Sequence, residues 1–203
     1  MIAPKIHFWL TCLSAYLITF GCILGQSSLL PSFTLINLQA ENISFKPSTE
    51  TAAEVFIFIL HDCPIANQYQ PLIRRLSHQF SDRKIKFHLI HADPTLTPDA
   101  AREHAKLYEI EAPIYLDPKH TAVKLFGATV TPEVFVINSN HELVYQGRID
   151  NLYFALGRKR FRATQHDLQD ALEALLSGSP VPTPKTKALG CYVPPLDTPP
   201  LGP

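Results

Sequence analysis

The residue best placed to do chemistry is Cys63, in the stretch ILHDCPIANQYQPLI (59–73). It follows an apolar run and precedes Pro64, so it marks the junction between a buried strand and a helix. At a helix N-terminus, unpaired N–H groups and the helix dipole favour the thiolate, the reactive form of cysteine. The position therefore predicts a nucleophilic thiol; the alternative is an inert cysteine of the core.

A second thiol, Cys191, lies 128 residues further along, in the stretch ALGCYVPP. A nucleophilic thiol that attacks a disulfide forms a mixed disulfide, and a second thiol must resolve it. Because Cys191 is on a proline-bearing tail, it could swing to Cys63. The sequence leaves three roles open: a resolving or switching thiol, a static Cys63–Cys191 bridge that tethers the tail, and a free or intermolecular thiol.

The other two cysteines, Cys12 and Cys22, lie in an N-terminal leader. Lys5 precedes the uncharged run 8–25, and small residues follow it, a pattern typical of a secretory signal. An uncleaved membrane anchor is the alternative, since eighteen apolar residues can just span a bilayer. We expect export, so that the mature chain keeps Cys63 and Cys191. Lipid attachment at Cys22 is a less favoured variant.

Two histidines are candidate functional residues. His61, beside Asp62, could share the thiol proton of Cys63 or bind a soft metal with its thiolate, or it is simply a polar residue that leaves the strand. His120 follows Asp117-Pro118 in a helix first turn, which suits a neutral base or ligand, although a lone histidine more often has no such role. We predict the remaining candidates to be surface residues: His78, His88, His91, His104, His141 and His166.

Charge excludes some partners. Lys+Arg and Asp+Glu both number 18 in 203 residues, so no overall field favours nucleic acid. RKRFR (158–162) places four cations in five residues, either as a docking surface for an acidic partner or, as we favour, as a solvated loop. It belongs to an insertion, 151–163, to which we assign no role.

The elements that must position these residues alternate between strand and helix from about residue 53. The predicted strands are 54–60, 84–93, 112–117, 133–138 and 142–149; the predicted helices are 67–80, with Pro64 in the first helical position, 97–108, a helix from Asp117-Pro118 to Gly127, and a last helix capped by Thr164. Such alternation predicts an α/β domain with a mixed, mostly parallel central sheet and helices on both faces. We divide the chain into a signal or anchor (1–25), an N-terminal extension (26–52), the α/β domain (53–177) and a proline-rich tail (178–203).

Part of this pattern resembles the thioredoxin superfamily, over about residues 54–149. Cys63 with Pro71 eight residues on is similar to the family's active-site helix, and Thr131-Pro132 resembles its cis-proline loop. The added strand–helix–strand–helix segment resembles the redoxin branch, which comprises peroxiredoxins and exported thiol–disulfide oxidoreductases. The resemblance implies a thioredoxin-like fold, a cis peptide at Thr131–Pro132, and a substrate groove shaped by Pro132.

The sequence departs from each activity of that superfamily. Ala66 replaces the second cysteine of the Cys-x-x-Cys motif of thioredoxins, and Leu60 replaces the Thr or Ser that peroxiredoxins have three residues before the reactive cysteine. Asn67 replaces the second cysteine of copper-delivery relatives. No activity transfers intact.

We therefore predict an extracytoplasmic thiol–disulfide oxidoreductase, periplasmic or membrane-anchored, that needs no organic cofactor. Its catalytic residues would be Cys63, Cys191 and Pro132, and its substrate a protein thiol or disulfide. The alternatives are an antioxidant peroxiredoxin-like enzyme acting on peroxide, and a non-enzymatic copper-binding protein with Cys63, His120 and His61 as ligands.

Overall fold

The computed structural model describes residues 30–46 and 50–196. Its strands are β1 Phe33–Asn37, β2 Asn42–Phe45, β3 Ala53–Ile59, β4 Ile85–His91, β5 Ile114–Leu116, β6 Val130–Thr131, β7 Glu133–Asn138, β8 Leu143–Gly147, β9 Tyr153–Ala155, β10 Arg158–Lys159 and β11 Cys191–Tyr192. Its helices are α1 Pro64–Ser81, α2 Pro98–Leu107, α3 Thr121–Phe126 and α4 Asp167–Leu176. The predicted order of strands and helices after residue 53 is confirmed.

Seven strands form the central sheet, in the order β2-β1-β5-β4-β3-β7-β8. The sheet is mixed, as predicted, but among the described strands only the β3–β4 and β4–β5 pairings are parallel, and the four other pairings of this sheet are antiparallel. The excess of antiparallel pairs arises because a hairpin is added at each edge, β1–β2 at one and β7–β8 at the other. The expectation of a mostly parallel sheet is therefore wrong.

The segment predicted as an N-terminal extension contributes to this sheet. β1 pairs with β2 and also with β5, where Ile36 lies opposite Leu116. Phe33 at the start of β1 packs against Phe56 of β3 and Phe126 of α3. The sheet and its core thus begin at residue 33 rather than near residue 53.

The core surrounds β3, which is buried on both faces. Val55, Ile57 and Ile59 have no exposed surface, and Phe56 and Phe58 on the opposite face are almost as buried. α1 packs against β4, α3 against β1 and α4 against β8. A strand covered on both faces reads as a continuous apolar run, which is why EVFIFIL predicted it correctly.

Helix ends follow the predicted signals in two cases and not in a third. Thr97 caps α2 by accepting a hydrogen bond from the Ala100 N–H at 3.2 Å, and Gly127 ends α3 with φ +69°. Thr164 does not cap α4, which begins at Asp167 without a side-chain cap. Its hydroxyl instead accepts a hydrogen bond from the Asn151 side chain at 2.9 Å, so a tertiary contact replaces the local one.

Candidate functional site

Cys63 occupies the predicted junction between β3 and α1. It is the N-cap residue of α1, with Pro64 in the first turn, and its side chain is fully buried. The Ala66 N–H donates to Cys63 Sγ at 3.4 Å, and the thiol donates to the Thr131 carbonyl at 3.2 Å. The sulfur therefore lies between the first turn of α1, from which it accepts, and the Thr131 carbonyl, to which it donates.

The carbonyl that accepts from Cys63 belongs to the loop at Thr131–Pro132. The peptide bond between these residues is cis, as the resemblance implied. Thr131 is fully buried, and the two-residue strand β6 ends at it, immediately before β7. The start of α1 and the cis-proline loop are thus in direct contact.

The tail brings Cys191 to the same loop. β11 pairs antiparallel with β6, so that Cys191 lies opposite Thr131 and Tyr192 opposite Val130. Cys63 and Cys191 are both free thiols in this structure. Burial, then a hydrogen bond with Cys63, and then the charges of Cys63 and Asp62 raise the pKa of Cys191 to about 12. Cys191 is therefore a protonated thiol that lies opposite the residue bonded to Cys63.

Gly190 makes this approach of the tail feasible. A Cβ atom built on Gly190 would lie 1.7 Å from the Thr131 carbonyl oxygen and 2.5 Å from its carbon. Only glycine therefore allows the tail backbone to lie this close to the cis-proline loop. Reasoning from the sequence missed Gly190; the signal available was its position directly before Cys191.

Hydrogen bonds hold the rest of the tail on β8. Gln146 N–H donates to the Pro184 carbonyl and Thr186 N–H to the Gln146 carbonyl, both at 2.9 Å. The Thr186 hydroxyl accepts from the Arg148 N–H at 3.0 Å and lies where a Cβ of Gly147 would be. Cys191 was expected to lie on a tail that could swing to Cys63; here the tail is docked without a disulfide, because strand-like backbone pairing supplies the contacts.

A second set of contacts flanks the helix of Cys63. The Tyr69 hydroxyl donates to Asp150 at 2.5 Å, and burial followed by this bond raises the pKa of Tyr69 well above its ordinary value. Tyr153, in the insertion, packs on Tyr69 with ring centroids 5.8 Å apart and donates to Gln68. Burial and then the charge of Cys63 raise the pKa of Tyr153, so the insertion reaches the neighbourhood of the thiol.

The histidines near the site differ from the prediction. His61 Nδ1 lies 3.7 Å from Asp93, and the His120 ring bonds to the Ala92 carbonyl at 2.9 Å. Three histidines predicted to be on the surface are buried: His88, His91 and His104. Burial is the main reason that the pKa of His91 falls to about 3 and that of His104 to about 4.

The histidines near Cys63 are not arranged as metal ligands among the described residues. His104 Nε2 donates to the Asn67 side chain at 2.8 Å, and Asn67 in turn donates to the His61 carbonyl at 2.9 Å. Within residues 30–46 and 50–196, no three His, Cys, Asp or Glu side chains are grouped closely enough to hold a metal ion. Cys63, His61 and His120 are therefore not assembled as a three-ligand site, and copper binding stays a prediction from the sequence.

Comparisons with solved structures identify the fold. An uncharacterized conserved protein from Geobacillus kaustophilus superimposes with a TM-score of 0.73 at 24% identity, covering 82% of this chain and 90% of that one. A hypothetical protein from Sinorhizobium meliloti 1021 gives 0.72 at 22%, covering 82% and 92%. A candidate thiol:disulfide interchange protein DsbE from Chlorobium tepidum gives 0.58 at 17%, covering 73% and 95%. These similarities establish the thioredoxin-like fold.

Sequence comparison identifies the family. No curated protein sequence matches the chain significantly. Residues 27–146, more than half of the 203, match the AhpC/TSA family. The match includes Cys63, Pro132 and the strands β1 and β2 that precede the predicted domain boundary. The chain therefore belongs to the AhpC/TSA family of redoxins.

Proposed function

We propose that this protein is an extracytoplasmic thiol–disulfide oxidoreductase in which Cys63 is the nucleophile, Cys191 the resolving thiol and Pro132 part of the substrate groove. The observation that carries the proposal is the pairing of β11 with β6, which holds Cys191 opposite the residue whose carbonyl accepts from Cys63. Family membership supports thiol chemistry, and the placement of two free thiols against the same residue, Thr131, supports different roles for the two cysteines.

The reaction has two exchange steps. The Cys63 thiolate attacks one sulfur of a substrate disulfide, forming a Cys63–substrate bond and releasing the other sulfur as a thiolate that takes up a proton. Cys191 then loses its proton and attacks Cys63 Sγ, which forms the Cys63–Cys191 disulfide and releases the second substrate thiol. Two electrons pass from the protein dithiol to the substrate, and an external thiol reductant must restore the dithiol. The reverse sequence oxidises a substrate dithiol.

The raised pKa of Cys191 suits the resolving role. A thiol that stays protonated does not compete with Cys63 for the incoming disulfide, because the thiolate is the attacking species. Burial and the charge of Cys63 are among the causes of that raised pKa. When Cys63 enters a mixed disulfide, its charge disappears, and the pKa of Cys191 falls toward the value at which it can attack.

The peroxidase alternative has less support. Leu60, at the position where peroxiredoxins have a hydroxyl, is a buried member of the core and presents only hydrocarbon. The proposed compartment depends on the predicted leader, 1–25, which lies outside the described residues. No helix in residues 30–46 and 50–196 is long and apolar enough to cross a membrane.

The test is a single-turnover reduction of insulin disulfides by the fully reduced protein. We expect Cys63→Ser to abolish the reaction and Cys191→Ser to accumulate a mixed disulfide, detected as a mass adduct under non-reducing conditions. If Cys191 is instead a static tether, Cys191→Ser forms no adduct and lowers the unfolding free energy of the oxidised protein by about 2–4 kcal/mol.

Two parallel measurements separate the alternatives. Consumption of hydrogen peroxide that exceeds insulin reduction and depends on Cys63 would support the peroxiredoxin-like reading and overturn ours. A visible absorption band on adding copper, lost in both Cys63→Ser and His120→Ala, would support the copper-binding protein.

A further inference from the structure

Two segments of the chain carry cations without acidic residues. Residues 151–166 and 177–192 contain no Asp or Glu. They contain six exposed basic residues: Arg158, Lys159, Arg160, Arg162, Lys185 and Lys187. None of the six forms an ion pair with any carboxylate of the described residues. Because the whole chain has a formal net charge of zero, this positive charge is local.

The two segments lie beside each other. Leu156, in the turn between β9 and β10, lines the same open cleft as Lys185, Lys187 and Tyr192 of the tail. The cleft has a volume of about 770 Å³. Its acidic residue, Glu133, is buried and accepts hydrogen bonds from Thr129 N–H and the Gln146 side chain. We call the surface formed by the six cations and this cleft the basic face.

Exposed apolar side chains are concentrated on the basic face. Among the described residues, four of the seven large apolar side chains that are exposed belong to it: Phe154, Leu156, Phe161 and Tyr192. The guanidinium groups of Arg158 and Arg160 lie 6.0 and 5.2 Å from the centroid of the Phe154 ring. Aromatic and arginine side chains together are the composition enriched at the centres of protein interfaces.

The basic face adjoins the thiol site. Tyr192 directly follows Cys191, and Lys159 Nζ donates to Gln68 of α1 at 3.3 Å, five residues after Cys63. Asp62 is the exposed acidic residue next to Cys63. Its single negative charge is outnumbered by the six positive charges of the basic face. A partner that exchanges disulfides at Cys63 must therefore come within reach of the cations.

We propose that the basic face docks an acidic protein partner, whose carboxylates surround the disulfide or dithiol that it presents to Cys63. This inference rests on the proposed function and names its substrate class. Electrostatic complementarity of this kind mainly raises the rate of association and selects among partners. A concave cleft beside two thiols suits a protruding segment of a protein, whereas an anionic membrane is flat and offers no thiol.

The experiment compares two synthetic peptides that share one intramolecular disulfide and differ only in four flanking residues, all Glu or all Lys. Neutral 4,4′-dithiodipyridine serves as the small-disulfide reference. At low ionic strength we expect the protein to reduce the Glu peptide at least about tenfold faster than the Lys peptide, and expect 0.5 M salt to remove most of this preference, since salt at about 1 M shortens the screening length to roughly 3 Å.

Two double variants reverse the same number of positive charges, one on the basic face and one elsewhere on the surface. Arg158→Glu with Arg162→Glu should lower the Glu-peptide rate, relative to the reference rate, by about tenfold or more. Arg75→Glu with Lys106→Glu is the control, because both residues are exposed and lie on α1 and α2 away from the basic face. Equal peptide rates, or equal effects of the two double variants, would overturn the proposal.

Two further arms isolate the docking step. Binding of the same peptides with both cysteines replaced by serine, measured by fluorescence anisotropy, reports docking without chemistry. If 4,4′-dithiodipyridine is not reduced but the Glu peptide binds better, the proposed function fails and the acidic docking surface stands. Binding to phosphatidylserine vesicles without any preference for the Glu peptide would identify a membrane-binding face and overturn the protein-docking proposal.

Discussion

The atoms in contact with Cys63 determine how its thiol is held and how close Cys191 lies to it. The thiol donates to the Thr131 carbonyl at 3.2 Å, and Cys191 lies opposite the same Thr131 in the pairing of β11 with β6. Gly190 permits this pairing because no side chain separates the tail from the Thr131 carbonyl. Because Cys63 is fully buried, we expect an incoming disulfide to reach the sulfur after the tail moves aside.

Gly190→Ala tests this arrangement at the scale of one methyl group. The added Cβ clashes with the Thr131 carbonyl, and overpacking of this kind costs about 1–3 kcal/mol, which should lower the population of the docked tail. We expect Cys63 of the reduced protein to react with iodoacetamide about tenfold faster, as measured by peptide mass mapping. Thr183→Ala, an exposed change in the same tail, is the control. Unchanged Cys63 reactivity in Gly190→Ala would show that the tail does not cover the thiol.

Among the elements, β4 carries two histidines into the core, and their burial links stability to pH. His88 stacks on Phe56 of β3 with ring centroids 5.0 Å apart and planes 20° from parallel. Burial, followed by the charge of Lys86, lowers the pKa of His88 to about 4. Glu54 lies 3.7 Å from Nε2, but desolvation of the buried ring prevails. His88 is therefore neutral in the folded protein at pH 7.

The sign of the pH effect follows from this lowered pKa. Between about pH 6.5 and pH 4 the unfolded chain binds a proton at His88 that the folded chain does not. The contribution of neutral His88 to the unfolding free energy is therefore complete above about pH 6.5 and is lost as the pH falls toward 4. His88→Phe keeps the ring stacking and removes the proton site. We expect urea denaturation at pH 5.0 and 7.5 to show that wild type loses about 2 kcal/mol more than the variant. Equal losses would mean that His88 titrates in the folded protein.

At the scale of the whole molecule, the tail links distant parts of the chain. After α4 it pairs with Gln146 of β8 and then with Val130 of β6 before the described residues end at Leu196. A cysteine far along the chain thus reaches the helix that begins at residue 64. The proposed export would remove Cys12 and Cys22 with the predicted leader and would keep Cys63 and Cys191.

Export predicts a definite mass for the mature protein. We expect protein purified from the native extracytoplasmic fraction to lack residues 1 to about 25, because the run 8–25 is typical of a cleaved signal. Intact-mass measurement checks the cleavage site, and the membrane fraction is analysed alongside for an uncleaved anchor. A soluble cytoplasmic protein that retains the full leader would contradict export.

Local sequence pattern determined the main strands and helices of this protein and the position of Cys63 among them. The cis bond at Thr131–Pro132 was implied by the resemblance to the thioredoxin superfamily. The apolar run of β3 and the Cys63-Pro64 junction are each contiguous in sequence, so the position of Cys63 and the order of strands and helices could be predicted from local pattern. Such features depend on neighbours a few residues away, and their physics is that of helix ends, strand periodicity and proline geometry.

Tertiary structure alone decided the rest. The partner of Cys191, the fit of Gly190 against Thr131 and the Tyr69–Asp150 bond depend on residues brought together across roughly 60 or more positions. The burial of His88 depends on the pairing of neighbouring strands. The sheet's antiparallel majority likewise depends on where the edge hairpins attach. No periodicity encodes such pairings, because they are selected by the packing of the complete chain, in which each contact is stabilised only when the others are present.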